Sequence, residues 1–262
     1  MHASSMVASF MFHEVTDDPA SSGFQWPGAM AYKHTHQAFA RCLDAIAAAP
    51  ARPALVTDVD FTLPGRHVML TFDDGGVSAM TAAAELERRG WRGHFFIVTS
   101  LIGTPGFLAA DQVRALRRDG HLIGSHSHTH PNIFREQPIT RMVEEWRVSR
   151  DALAQILGEP CLLASVPGGD ISRRVLESAH EAGLRYLFTS EPWLRPRHMS
   201  DCWVLGRFSA KVGTTPAQVG ELAQFRGWTG ALVRRRLKVL ATRALPPLYR
   251  LYIRARTGER TA

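Results

Sequence analysis

The chain has 262 residues, enough for one large α/β domain or at most two small ones. Hydrophobic residues make up 45% and charged residues 21%, an ordinary globular usage that excludes a disordered chain, a collagen or a disulfide scaffold. The net charge of +7 is unevenly placed: residues 226–262 hold nine Arg, one Lys and one Glu, a net +9, which leaves −2 on the other residues and argues against a nucleic-acid-binding fold with charge spread over it.

In chain order, Met6 to Phe12 is an apolar run that reads as a strand ending at His13. His36 to Ala48 predicts a helix, with Phe39, Leu43, Ile46 and Ala47 at helical spacing. His67 to Phe72 reads as a buried strand that runs into Asp73-Asp74-Gly75-Gly76. Ser78 to Arg89 is Ala- and Glu-rich and helical, closed by Gly90. Then follow a strand at His94 to Val98, a helix at Ala110 to Arg118 and a strand at His121 to Ser125. Ile139 to Leu157 reads as a long helix stopped by Gly158; Cys161 to Val166 as a strand, Ser172 to Ala182 as a helix, and Tyr186 to Thr189 as a strand. This alternation calls for a parallel sheet with helices packed outside it. Polar residues follow the strands, at Asp73, His126, Pro167 and Ser190, and parallel α/β folds place their sites at the carboxyl ends of strands.

Three cysteines, Cys42, Cys161 and Cys202, lie far apart, which fits a reducing compartment. The first residues have neither a basic region nor an apolar run of the kind a signal peptide needs, and no stretch reaches the length of a membrane span. A cytoplasmic location is therefore expected.

Two constellations carry chemistry. Thr71-Phe72-Asp73-Asp74-Gly75 sets adjacent carboxylates at a strand end. Neighbouring strand residues point to opposite sides, so a turn must begin there if both are to reach one site; Gly75 and Gly76 would allow it. The second is Gly124-Ser125-His126-Ser127-His128-Thr129-His130-Pro131-Asn132, three histidines in five residues. Neutral imidazole is a good ligand for divalent metals. An Asp with two His and open positions is the composition of a hydrolytic metal site, in which a spare carboxylate takes a proton from water. The residues alone leave open which two of His126, His128 and His130 would be ligands.

The string TFDDG followed by GSHSHTHPN resembles the polysaccharide deacetylase family, the NodB homology domain of carbohydrate esterase family 4. The resemblance covers roughly Val7 to Phe208. It implies a distorted (β/α) barrel, with seven strands expected, and hydrolysis of an N-acetyl group on an amino sugar. It implies Asp73 as the base and Asp74, His126 and His130 as the ligands of a divalent metal, with Zn²⁺ the expected ion. Met11-Phe12-His13 matches the family's opening Tyr-His element, which makes His13 a candidate catalytic residue. Pro167, Gly168 and Gly169 fall on its Arg-x-Pro-x-Gly motif, but Ser165 stands where the family has the Arg that orients the base. Trp193 falls where the family has an aromatic wall for the acetyl methyl. The family's late Leu-x-His, whose His protonates the leaving amine, is absent, which leaves His13, His128 or His198 to replace it. A small-molecule amidase, or a catalytically weak glycan-binding member, is the alternative reading.

Thr229 to Leu245 predicts a basic amphipathic helix, ended by Pro246-Pro247 and followed by a second basic stretch, Leu248 to Arg256. Val233, Leu237 and Leu240 share a face, with arginines on both flanks, the signature of a membrane-surface helix; a helix docked on the barrel is the competing expectation. The expected organisation is a catalytic domain over 1–225 and a tail over 226–262, with a glycan or lipid-linked glycan as partner, peripheral membrane contact through the tail, and no nucleic acid.

Overall fold

The computed structural model describes residues 5–169, 171–199 and 201–244; the second basic stretch at 248–256 lies outside them. In chain order the elements are β1 (Met6–Phe12), β2 (Glu14–Val15), β3 (Lys33–His34), α1 (His36–Ala47), β4 (Arg66–Phe72), α2 (Ala79–Glu87), β5 (His94–Ile97), α3 (Ala110–Arg118) and β6 (Leu122–Ser125). They continue with α4 (Ile139–Leu157), β7 (Leu163–Ser165), α5 (Arg173–Glu181), β8 (Tyr186–Phe188), β9 (Arg197–Met199), β10 (Cys202–Leu205), β11 (Phe208–Ser209), α6 (Pro216–Ala223) and α7 (Trp228–Ala244).

Local chemistry explains the boundaries. The Thr35 hydroxyl accepts from the Ala38 N–H and starts α1, whose Phe39, Cys42, Leu43 and Ile46 are buried at helical spacing. α4 stops at Gly158, which takes the left-handed conformation (φ 72°) that a side chain would resist.

One sheet has the order β11-β1-β4-β5-β6-β7-β8-β10-β9, and β2 pairs with β3 separately. Eight of its strands, β11, β1, β4, β5, β6, β7, β8 and β10, form a continuous parallel series. The large sheet therefore has nine strands rather than the expected seven: β9 adds an antiparallel edge to β10, and β11 pairs with β1 on the far side. Only Gly206 and Arg207 separate β10 from β11. Two residues cannot cross a flat sheet of this width, so the sheet is curled into a nearly closed barrel with its seam at Gly206-Arg207.

Side-chain alternation sorts the strands into an inner and an outer face. Val7, Met69, Phe96, Leu163, Phe188 and Leu205, from six different strands, meet in an inner cluster that Val56 and Phe61 complete. Phe10, Phe12, Val68, Leu70, Phe72, Phe95 and Ile97 point outward to the cluster beneath the helices. This parity positions the site. Counting in twos along β4 from Met69 gives Thr71 and Asp73 on the inner side; along β6, Leu122 leads to Gly124 and His126; along β7, Leu163 leads to Ser165; past β10, Leu205 leads to Arg207.

Candidate active site

Asp73 is delivered inward by strand parity, but Asp74, next in line, should point outward. Asp74 instead adopts φ 77° and Gly75 φ 80°, so the chain reverses and both carboxylates reach one side. A left-handed Asp costs energy and is tolerated because its short polar side chain suits that region. Gly76 has another purpose than the turn: a Cβ there would lie 2.2 Å from Glu14 Oε1, so its missing side chain makes room for a buried carboxylate.

Asp74, His126 and His130 offer ligand atoms that all lie within 4.8 Å of one another. The His126 Nε2 is 3.4 Å from an Asp74 oxygen and the His130 Nε2 3.8 Å from the same atom. The His126 Nδ1–H donates to Ser165, whose carbonyl oxygen is at 3.0 Å and whose Oγ is at 2.6 Å. That leaves the Nε2 lone pair facing Asp74, the tautomer a metal ligand needs. His130 is turned in by φ 55°, and its N–H is held by the Ser127 hydroxyl at 3.0 Å. The residues fit a divalent cation electrostatically as well. Burial lowers the His126 pKa to about 4 and, with the charge of His126 beside it, that of His130 to about 3, so both rings are neutral. Burial, and then the charges of Asp73 and Glu14, push the Asp74 carboxyl well above its usual range: the site has more negative charge than its surroundings balance.

Asp73 is treated oppositely. Burial opposes its charge, yet the Arg207 guanidinium holds the carboxyl well below the usual carboxylate range. Arg207 is fully buried and grips Asp73 with two parallel bonds, Nη1 to Oδ1 at 2.7 Å and Nη2 to Oδ2 at 2.8 Å. Its Nε donates to the Thr189 carbonyl and its Nη1 also to Thr71 Oγ1. The Ser165 hydroxyl adds a third bond, to Oδ1 at 3.1 Å. Oδ1 thus has both lone pairs engaged, while Oδ2 retains one, and Oδ2 lies 4.0 Å from the His126 Nε2, on the ligand side. The arginine that Ser165 replaces in the sequence pattern is therefore supplied from another strand end. Its signal was an Arg inside the apolar run Val204-Leu205-Gly206-Arg207-Phe208, where an uncompensated charge would be costly.

These groups form the floor of a cavity of 640 Å³. His13 lines it, with its ring 4.3 Å from that of Tyr32 and its pKa lowered to about 4 by burial. His128 bonds Thr99 Oγ1 and His198 stacks on Trp203 at the sheet edge; neither lines the cavity. Gly168 and Gly169 do line it, whereas Pro167 is buried behind them. Trp193 lies outside the lining, because its ring packs under the Arg197 guanidinium, 4.0 Å away, and against Gly206. The aromatic surface beside His130 comes instead from Phe24 and Trp26, stacked 3.9 Å apart. Sequence reasoning also missed Glu145. This buried α4 carboxylate accepts from the Thr129 N–H and hydroxyl, at 2.7 and 2.6 Å, and pins the histidine loop.

The predicted tail helix is present as α7. Trp228 is buried, 6.2 Å from the Phe10 ring, and donates its indole N–H to the Leu222 carbonyl; Ala231 is buried too, and Arg235 pairs with Glu191 at 3.1 Å. At 3.6 residues per turn, Trp228, Ala231 and Arg235 share one face and Val233, Leu237 and Leu240 lie roughly opposite. The latter three are 50%, 61% and 61% exposed. The helix is docked on one side and presents an apolar stripe on the other.

The family profile described as polysaccharide deacetylase matches residues 61–187. A curated relative from Geobacillus stearothermophilus, described as an uncharacterized 30.6 kDa protein in the fumA 3′ region, is 26% identical over 128 residues. That match takes in 48% of this chain and 46% of the relative, so the chain spans about half the length of the curated relative it matches. Among solved structures, the Streptococcus pyogenes deacetylase PplD in complex with acetate superposes with a TM-score of 0.70 at 16% identity, covering 83% of this chain and 98% of that one. IcaB from Ammonifex degensii gives 0.70 at 19% identity, over 85% and 98%. A de-N-acetylase from Aggregatibacter actinomycetemcomitans gives 0.65 at 17%, over 83% and 99%. At these identities the structures share the fold.

Proposed function

We propose, from the premise that this chain belongs to the polysaccharide deacetylase family, that it is a metal-dependent hydrolase removing N-acetyl groups from an amino-sugar glycan or glycan precursor. The observation that carries the reading is the Asp73 carboxylate, clamped by Arg207 with one Oδ2 lone pair free, beside the ligand set Asp74, His126 and His130. A divalent cation on that set, Zn²⁺ by its donor chemistry, supplies Lewis acidity and lowers the pKa of water to about 7 in favourable cases.

The chain's own groups do the rest. Asp73 accepts a proton at Oδ2 as the water oxygen bonds to the acetyl carbon. Arg207 keeps that carboxylate charged and pointed until then. The C–N bond then breaks, and the proton held by Asp73 goes to the departing amine, leaving acetic acid and a free amine. An amine leaves poorly unless protonated. Among His13, His128 and His198, His13 is the one that lines the cavity, and its neutral ring can relay this proton. Gly168 leaves the wall open, since a Cβ there would meet nothing within 4 Å, whereas Ser190 fills the place a side chain at Gly169 would take.

A cavity of 640 Å³ is of small-ligand size, about 300–1,000 Å³, which favours a terminal sugar or short precursor over the middle of a long polymer. Val233, Leu237 and Leu240, exposed on a helix rich in arginine, support peripheral contact with an anionic membrane surface. No helix among the described residues is long and apolar enough to cross a membrane. The buried, unpaired Cys42, Cys161 and Cys202 support a reducing compartment such as the cytoplasm.

The test is acetate release from a panel of N-acetylated sugars and glycan precursors, with and without a chelator. Acetate should appear, vanish with chelator and return with Zn²⁺. Release that persists in metal-free protein, or none from any sugar, overturns the reading.

A further inference from the structure

The acidic groups of the cavity and Arg207 are buried at its floor, while Lys211, half-buried, and Arg234, exposed, stand towards its mouth. Its carboxylates are Glu14, Asp73 and Asp74. Its cations are Lys33, Arg207, Lys211, Arg234 and Arg235. Three of these are occupied: Arg207 by Asp73, Arg235 by Glu191, and Lys33 by the Pro19 and Ser22 carbonyls. Lys211 and Arg234 have no carboxylate partner among the described residues.

Both are held in place by the fold. Lys211 begins a turn closed by the Thr214 N–H bonding the Lys211 carbonyl at 2.8 Å, and tied down by the Val212 N–H bonding the Ala31 carbonyl at 2.8 Å. The Lys211 ammonium lies over the Tyr32 ring, 5.0 Å from its centre, next to His13. Arg234 is brought to the lining of the same cavity because Trp228, Ala231 and Arg235 fix α7 on the body. Ser209 Oγ, on the same lining, is a buried hydroxyl with no hydrogen-bond partner among the described residues, and Thr214 and Gln218 belong to that lining too.

We propose that this mouth is a subsite for a phosphate ester on the substrate: the sugar that presents its N-acetyl group to Asp73 carries a phosphoryl group between Lys211 and Arg234. This deepens, and rests on, the deacetylase reading above. Two uncompensated cations from different elements match a dianion better than a neutral sugar, and a partnerless buried hydroxyl supplies a neutral donor. A charge-assisted bond to phosphate is about twice as strong as a neutral one.

The experiment compares an N-acetylhexosamine 1-phosphate with its 1-O-methyl glycoside, on the metal-loaded full chain. Wild type should favour the phosphate in kcat/KM by about tenfold to a hundredfold, the scale of one charged hydrogen bond. In the double variant Lys211→Gln, Arg234→Gln that ratio should fall towards one, with an unchanged thermal melt as the folding control. A ratio near one in wild type, or a ratio the double variant does not change, overturns the subsite. If neither sugar releases acetate, the deacetylase reading fails, and direct titration of the sugar phosphate decides the subsite by itself. Binding lost in the double variant upholds it; equal binding in both proteins overturns it and leaves the metal as the anion's partner.

Discussion

Asp73 and Arg207 are a buried pair whose partners are not interchangeable. Asp73→Asn removes the acceptor lone pair at Oδ2 and the counter-charge of the buried Arg207 together, so kcat should drop about 10²–10⁴-fold, the usual contribution of a positioned base, and stability should fall by about 3–5 kcal/mol while Asp74, His126 and His130 still hold metal. Retention of near wild-type kcat would show Asp73 to be a turn residue. Arg207→Met acts on the same carboxylate differently. It leaves a buried charge without its counter-ion, which typically costs about 3–5 kcal/mol, so both stability and turnover should fall. A urea titration alongside the rate assay separates the two: loss of rate with stability intact would mean Arg207 only orients. At this scale the sequence was legible where motif and parity agree, at Asp73 and His126, and at Asp74 only through the turn that Gly75 announces. It was silent on Arg207 because the arginine comes from another strand end, 134 positions from Asp73, and no local pattern links them. Trp193 shows the reverse: a residue in the expected place whose ring is taken by Arg197.

Helices and strands were read to within a few residues, since strong apolar periodicity survives tertiary packing. Met6–Phe12, Ala110–Arg118 and Ile139–Leu157 fall where the pattern puts them. β9 and β11 were not read, because three and two residues are too few to show a period. Periodicity also found the stripe on α7 but could not say that Trp228 belongs to the core. That distinction sets a prediction. Ending the chain at Arg226 should uncover Phe10 and lower the melting temperature. Replacing Val233, Leu237 and Leu240 together by Ser should leave the melt nearly unchanged and reduce cosedimentation with anionic vesicles, in a salt-sensitive way. Equal vesicle binding by the triple variant and wild type would assign that stripe to something other than a membrane surface.

The whole molecule should be sensitive to acid in a way composition does not reveal. His94 is fully buried; its Nδ1–H donates to the Leu70 carbonyl at 2.9 Å and its Nε2 accepts from the Val56 N–H at 2.9 Å. A second ring proton would face that N–H. Burial accordingly lowers the pKa to about 4 from 6.5. The folded state disfavours the protonated ring, so this contribution is whole above pH 6.5 and is lost as pH falls towards 4. Between pH 7 and 5 the loss is on the order of 2 kcal/mol. The urea midpoint of wild type should fall over that interval more than that of His94→Gln; parallel falls would assign the acid sensitivity to other histidines.

The seam of the barrel has a consequence for how the protein is made. Asp73, Asp74, His126 and His130 are all made by position 130, yet the guanidinium that neutralises Asp73 waits at Gly206-Arg207, between the two sheet edges. Chains emerge and fold from the N-terminus at about 5–20 residues per second. For several seconds a nascent chain therefore carries Asp74, His126 and His130 with no guanidinium to neutralise Asp73. On the function proposed above, competence for hydrolysis would wait until β10 docks and closure of the sheet brings Arg207 to Asp73, so that the finished barrel and a neutralised Asp73 would be acquired together.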